Sequence, residues 1–265
     1  MFQGFQQKLP EYEIMCPQSR RTFTVKSMNI AEEEKLKGSF MFSAKMLDHL
    51  NKCLFDSTIP EKRPEDIQTY SDFLEKISVI DRQAILFGLY HITYGEIRNY
   101  EVGCESCEKT YSITTNTKDI FSIKLSADDK LMEKTFPANL EIFSKIVVYV
   151  KQPSLKEEFD AMNAYAPNLS GESLAYVENC ILIDKIEEFG EDGEILSSYN
   201  TLEDIMDGFK TLPSKDKRKI QEVYKEKFGD FSVNLKMKSR CTFCGHEEDL
   251  TIDLVSQFFR MVQIG

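Results

Sequence analysis

The chain has 265 residues, of which 42% are apolar and 29% are charged, a composition typical of a soluble globular protein with one or two domains. Its net charge of −11 argues against nucleic acid and anionic membranes as partners, because both attract basic proteins. The longest mainly apolar stretch, residues 84–92, is too short to span a bilayer, and the first residues do not have the pattern of a secretory signal.

The first third of the chain predicts a short hairpin followed by helices. Residues 11–16 and 22–26 alternate apolar and polar side chains around PQSRR, which predicts two antiparallel strands. Residues 30–56 have a helical pattern, and a further helix is expected to begin at an N-cap, Asp81. We assign residues 1–95 to an N-terminal hairpin plus helical region.

The middle of the chain changes from strand-like to helical patterns. Residues 96–152 are rich in Ile, Val and Tyr, as β-strands are. Ser154 and Glu157 then have the spacing of a capping box at the start of a helix. Residues 153–230 are therefore expected to form a mainly helical insertion, with a small hairpin at 185–199.

The last segment returns to strands. Residues 231–239 alternate strictly between apolar and polar side chains, and residues 250–254 do so again after the turn RCTFCGHEE. We join residues 96–152 and 231–265 in one β-rich knuckle module. The densest basic run, SKDKRK, opens one of the preceding helices and is interpreted as a solvated helix face.

Two cysteine pairs with the spacing C-x-x-C lie at the tips of predicted hairpins. Cys104 and Cys107 belong to GCESCEK, and Cys241 and Cys244 belong to RCTFCGHEE. Each pair has the form of a zinc knuckle, and two knuckles supply the four thiolates of a structural zinc site. The 133 residues between Cys107 and Cys241 far exceed the roughly 15–20 of a short zinc ribbon. A shared site therefore requires the last strands to return to the middle of the chain.

Other interpretations of the cysteines are a redox pair, two separate knuckles, or turns that bind no metal. A thioredoxin-type pair places its first cysteine at a helix N-terminus, whereas each pair here precedes a strand. His246 is interpreted as an exposed turn residue, because four thiolates already complete a zinc shell. Cys16, Cys53 and Cys180 stand alone on apolar faces and are expected to be small core residues.

Enzyme motifs do not stand out in the sequence. It has no G-x-S-x-G elbow, no Gly-rich phosphate loop and no H-E-x-x-H. A metal-dependent hydrolase would need an open coordination position, which a four-thiolate site does not provide. The sequence therefore predicts a binding or assembly protein, not an enzyme.

The order of several segments resembles a known family. LPEYEI, AEEEKLK and C-E-S-C are followed by ENCI, TLEDIMDGFKTLP, KIQEVYKEKFGDF and CTFCGHEEDLTIDLVSQFF. This series resembles the baseplate hub subunits and hub assembly proteins of T4-like contractile-tailed bacteriophages. The resemblance implies a virion or assembly protein without catalysis that binds other baseplate and tail proteins. It implies a location in the tail baseplate, or in the host cytoplasm during assembly.

The resemblance includes a short apolar tail with two phenylalanines, here Phe258 and Phe259. Together with Met261 they are our candidate partner-binding side chains, and the N-terminal MFQGFQQ is a second candidate. The alternative is that both termini dock on the body of the protein.

These observations predict an α+β fold in which small β-hairpins form a two-knuckle, zinc-ribbon-like module, with N-terminal helices and an inserted helical segment. The predicted cofactor is a structural Zn²⁺ held by Cys104, Cys107, Cys241 and Cys244. The main hypothesis for function is a non-enzymatic baseplate component of the hub region. The alternative is a transcription-related phage protein that binds nucleic acid through a zinc ribbon, and the net charge of −11 counts against it.

Overall fold

The computed structural model describes residues 9–36, 44–165, 171–229, 233–252, 254–255 and 258. Within these ranges the fold is mixed, with short antiparallel sheets and helices. The strands are β1 (Glu11–Met15), β2 (Thr22–Lys26), β3 (Ile97–Gly103), β4 (Thr110–Asn116), β5 (Phe121–Ile123), β6 (Phe136–Asn139), β7 (Ile146–Val150), β8 (Ile183–Phe189), β9 (Ile195–Tyr199), β10 (Val233–Arg240) and β11 (Glu247–Thr251). The helices are α1 (Ile30–Leu36), α2 (Ala44–Ser57), α3 (Tyr70–Lys76), α4 (Val79–Tyr94), α5 (Thr117–Ile120), α6 (Leu155–Tyr165), α7 (Gly171–Cys180), α8 (Leu202–Thr211) and α9 (Ser214–Phe228).

A first hydrophobic core forms where α4 packs on the hairpin of β1 and β2. The N-cap of α4 is Ser78, whose hydroxyl accepts a hydrogen bond from the N–H of Asp81. The helix thus begins one turn earlier than the sequence suggested, because Ser78 satisfies the end of the helix. The carboxylate of Asp81 is left to bond elsewhere in the fold.

A second hydrophobic core lies between a four-stranded sheet and helices α7, α8 and α9. The strand order is β6-β7-β8-β9, and every neighbouring pair is antiparallel. The sequence pattern places β6 and β7 with the knuckle hairpins, but in the structure β7 pairs with β8. Its buried side chains, Val148 and Val150, belong to this second core. The small hairpin expected at 185–199 thus supplies two strands of this sheet, β8 and β9.

The end of the chain returns to its middle through β10. This strand pairs with β5 on one side and with β11 on the other. The pairing sets Val233 opposite Ile123 and Leu235 opposite Phe121. The fold-back that a shared cysteine site requires is therefore part of the backbone topology.

Phe258, near the end of the chain, packs in the first core. The side chain of Phe258 is fully buried, and its ring lies 6.4 Å from the ring of Tyr94 in an edge-to-face contact. This burial disfavours Phe258 as a partner-binding residue and favours the alternative, in which the residue docks on the body of the protein. Phe259, Met261 and the segment MFQGFQQ lie outside the described residues. Among the helices that the structure describes, none is long and apolar enough to cross a membrane.

Candidate metal centre

The four cysteines of the two C-x-x-C pairs lie together in space. Their Sγ atoms are all within 4.8 Å of one another. Two of the distances cross between the hairpins: 3.6 Å from Cys104 to Cys244 and 3.7 Å from Cys107 to Cys241. Four thiolates about 2.3 Å from a central zinc stand roughly 3.8 Å apart in a tetrahedron. The sulfur atoms therefore have the number and spacing that one tetrahedral ion requires.

Both turns that carry the cysteines have the same backbone structure. The N–H of Cys104 donates to the carbonyl of Lys109 at 3.0 Å, and that of Cys241 donates to the carbonyl of His246 at 2.8 Å. The residue after the second cysteine has a positive φ in both turns, 58° at Glu108 and 76° at Gly245. That conformation is easy for glycine and costs a residue such as Glu108 energy. The two turns therefore have the same backbone conformation and the same closing hydrogen bond.

A tyrosine connects the two hairpins below the cysteines. The hydroxyl of Tyr111 on β4 lies 2.7 Å from Oγ of Ser239 and 2.8 Å from a carboxylate oxygen of Glu248. Tyr111 is 4% exposed, so these bonds are shielded from water. They fix the β3–β4 hairpin against β10 and β11, which carry the second cysteine pair.

Apart from this contact, little apolar packing holds the tips together. The buried cluster at the tips consists of Cys104, Tyr111 and Cys241, with Val102, Cys107 and Ile113 partly buried beside it. The β3–β4 hairpin forms a two-stranded sheet of its own among the described strands, and such a hairpin is marginally stable alone. An ion bound by all four thiolates would supply the missing connection.

The environment of the thiols favours one thiolate near neutral pH. Burial raises the pKa of Cys241, but the N–H groups of Cys244 and Phe243 outweigh it and lower the pKa to about 7. The pKa of Cys107 rises to about 12, because burial and the neighbouring thiols outweigh the N–H of Lys109. The Cys107 thiol therefore retains a proton that a bound cation would displace.

His246 and the remaining cysteines stand apart from this cluster. The side chain of His246 is exposed, and the four-residue group does not include it. Cys16 and Cys180 are fully buried and Cys53 is half-buried, as expected for small core residues.

The family model described as "T4 bacteriophage base plate protein" matches residues 9–260. The chain belongs to this family. No curated protein and no solved structure matches the chain. Membership confirms the resemblance drawn from the sequence and makes this chain a structural component of a phage baseplate. It implies contacts with other tail proteins and a place in the virion tail, and it suggests a role without catalysis.

This base plate protein contains a third turn of the same backbone form, which was not predicted from the sequence. In the β1–β2 hairpin, the N–H of Cys16 donates to the carbonyl of Arg21 at 2.8 Å, and Arg20 has a φ of 56°. These are the features of the two knuckle turns, with Ser19 in the position of the second cysteine. The spacing C-x-x-S at the tip of a predicted hairpin was the signal that could have revealed it.

In this third turn a carboxylate accepts the hydrogen bonds of the turn N–H groups, in place of a cysteine sulfur. In the last knuckle the N–H of Phe243 points at the Sγ of Cys241, 3.4 Å away. In the first hairpin the N–H groups of Gln18 and Ser19 donate instead to the carboxylate of Asp81, at 2.8 and 3.0 Å. Burial raises the pKa of Asp81, although these donors oppose the shift. Two turns thus present thiols to each other, and the third is held by α4.

Proposed function

We propose that this base plate protein is a non-enzymatic structural or assembly component of the baseplate hub region. We propose further that Cys104, Cys107, Cys241 and Cys244 hold one structural Zn²⁺. The observation that carries the metal proposal is the convergence of four thiols from hairpins 133 residues apart in the chain, all within 4.8 Å. Soft thiolate ligands in a tetrahedral set are the donors that zinc takes in structural sites.

A filled four-thiolate shell has a structural consequence. It leaves no open position for water or substrate, so the ion would join the hairpins without performing a reaction. The joined module then becomes one rigid surface that other tail proteins can bind. Rigid surfaces lose less conformational entropy on association than mobile ones, which suits a part of a large assembly.

Fewer residues remain as candidate partner contacts than the sequence suggested. Phe258 is in the core, so Phe259, Met261 and the N-terminal MFQGFQQ remain the proposed contacts at the termini. Other baseplate proteins are the proposed partners, in the finished particle or in the host cytoplasm during assembly. Nucleic acid is not a proposed partner, because the net charge is −11.

One set of measurements on the purified protein and on the phage that encodes it tests this function. We expect about one zinc and no iron per chain by elemental analysis, and thiols that react only after the metal is chelated. In cells infected by phage that cannot make the protein, we expect electron micrographs to show incomplete baseplates. Mass spectrometry of purified tails and of assembly intermediates then assigns the chain to the particle or to assembly alone.

Several results would contradict the proposal. Four freely reactive thiols in native protein purified without metal would contradict the zinc site. Iron bound by the four thiols would mean that the cofactor is iron and not zinc. Normal tails formed in the absence of the protein would contradict the proposed role in the baseplate hub. Tight binding to duplex or single-stranded DNA that weakens steeply with salt would favour the nucleic-acid-binding alternative.

A further inference from the structure

The free edge of the four-stranded sheet is unusually apolar. β9 pairs with β8 on one side, and no described strand pairs with its other side. Ile195, Leu196 and Tyr199 on β9 are 55%, 58% and 40% exposed. Edge strands are normally protected by charges, proline or short length. The opposite edge, β6, is four residues long and contains Pro137, whereas β9 contains neither proline nor a charged residue.

The segment of the chain that contains this edge is strongly acidic. Between residues 186 and 209 the chain has eight acidic residues and no lysine or arginine. The acidic residues are Glu187, Glu188, Glu191, Asp192, Glu194, Glu203, Asp204 and Asp207. An excess of one sign in one place attracts partners of the other sign and repels a second copy of the same surface.

A groove lies beside β9 on the face that α8 covers. Its volume is about 290 Å³. The apolar side chains of the sheet that line it are Ile146, Ile186 and Tyr199. The carboxylates of Glu188, Asp204 and Asp207 form its acidic rim. Tyr199 stands opposite Ile186 in the register of β8 and β9, so both side chains line the same face of the sheet. Asp207 also contacts Lys210 at 3.1 Å, but both side chains are largely exposed, and such pairs are weak.

The geometry points to β9 as a docking edge for a basic, extended segment of another protein. A strand added beside β9 would bond to the free backbone groups of the edge. Its alternate side chains would continue the row of Ile186 and Tyr199 across the mouth of the groove. A lysine or arginine there lays its aliphatic stem on Tyr199 and brings its charge to Asp204 and Asp207. The acidic rim therefore selects a basic strand.

This surface adds a partner site to the structural role proposed above, and it can fail without affecting the metal or the assembly tests. The probe is a fluorescein-labelled peptide, TKVKVKT, measured by anisotropy with the full chain. The control TKPKPKT keeps the charge but cannot pair as a strand, and TEVEVET reverses the charge. We expect saturable binding of TKVKVKT alone, with slower hydrogen exchange at the amides of residues 195–199.

Two protein variants test the groove. Asp207→Lys removes a rim carboxylate, and Glu203→Lys makes the same charge change on the same helix outside the groove. We expect Asp207→Lys to weaken peptide binding by about threefold more than Glu203→Lys, the size of one partly exposed ion pair. Equal weakening by both variants, or equal binding of TKPKPKT, would reduce the site to general charge attraction and overturn the proposal. Dimers that protect residues 195–199 without peptide would assign the edge to a second copy instead.

Discussion

Arg82 of α4 and Glu158 of α6 form a two-armed ion pair inside the protein. Nη1 lies 2.5 Å from Oε2 and Nη2 lies 3.0 Å from Oε1. The side chains are 7% and 11% exposed. The two residues are 76 positions apart in the chain. The pair therefore fixes α6, the first helix after the strands of 136–150, to the helices of the N-terminal core.

Removing one partner of this pair should be costly. Glu158→Ala leaves the guanidinium of Arg82 buried without its carboxylate, and we expect a loss of about 3–5 kcal/mol in the free energy of unfolding. Asp160→Ala is the control on the same helix, because Asp160 pairs with Lys156 at 2.9 Å on the surface and should cost less than about 1 kcal/mol. Urea denaturation of both variants measures the difference.

The double variant Arg82→Met with Glu158→Leu separates the pair from the burial of either charge. An apolar pair of similar volume removes both charges, so we expect this protein to be more stable than Glu158→Ala alone. A double variant as unstable as Glu158→Ala, or less stable, would contradict the prediction, because the cost would then not come from an unpaired buried charge.

The two halves of the cysteine site should depend on each other. Cys104→Ser and Cys241→Ser each remove one of four ligands, so each should abolish zinc retention and expose the amides of both hairpins to hydrogen exchange. If each costs about 3 kcal/mol, the Tm falls by roughly 6–12 °C for a chain of this size. Cys53→Ser is the control, since Cys53 contacts Met28 and is outside the cluster. Loosening of only the mutated hairpin would contradict a shared ion.

Local patterns predicted the elements that form this site. The alternation of residues 231–239 gave β10, and the C-x-x-C spacing placed Cys104 and Cys241 at the tips of hairpins, as the structure has them. The capping box of Ser154 and Glu157 is also present, with reciprocal bonds of 2.9 and 3.2 Å. These features depend on neighbours in the sequence, so a single sequence contains them.

Those local patterns could not predict which distant segments pair with each other. An apolar strand such as β7 can pair with any strand of matching pattern, and nothing in residues 146–150 distinguishes β8 from the knuckle hairpins. Asp81 was taken as a helix cap because the pattern shows only its own helix, whereas its carboxylate binds the turn at Gln18 and Ser19. The structure differs from the sequence-based predictions where a residue or strand bonds to a partner that is distant in the sequence.

The carboxylate of Asp81 should be essential to the first hairpin. Asp81→Ala leaves the N–H groups of Gln18 and Ser19 buried without acceptors, and each such group costs about 1–3 kcal/mol. We expect the free energy of unfolding to fall by roughly 2–5 kcal/mol while zinc content is unchanged. Asp129→Ala, at an exposed position, is the control. A variant as stable as this control would mean that water satisfies the turn.

Asp216 should give the stability of the second core a defined dependence on pH. This side chain is fully buried at the start of α9 and accepts hydrogen bonds from the N–H groups of Glu141, Ile142 and Phe143, at 2.9, 3.0 and 3.2 Å. Burial alone would raise the pKa of Asp216, but the three donors outweigh it and lower the pKa below the usual range. The folded state therefore favours the charged carboxylate.

Because the pKa is lower in the folded state, the contribution of Asp216 is complete above the unfolded pKa of about 4. It is lost as the pH falls through the lower folded value. Asp216→Asn should cost about 1–3 kcal/mol at pH 7, and its difference from the natural protein should shrink toward pH 3. Glu222→Gln, exposed on the same helix, is the control for loss of one charge. Urea denaturation at both pH values measures the differences, and a gap for Asp216→Asn that stays constant or widens in acid would refute the assignment.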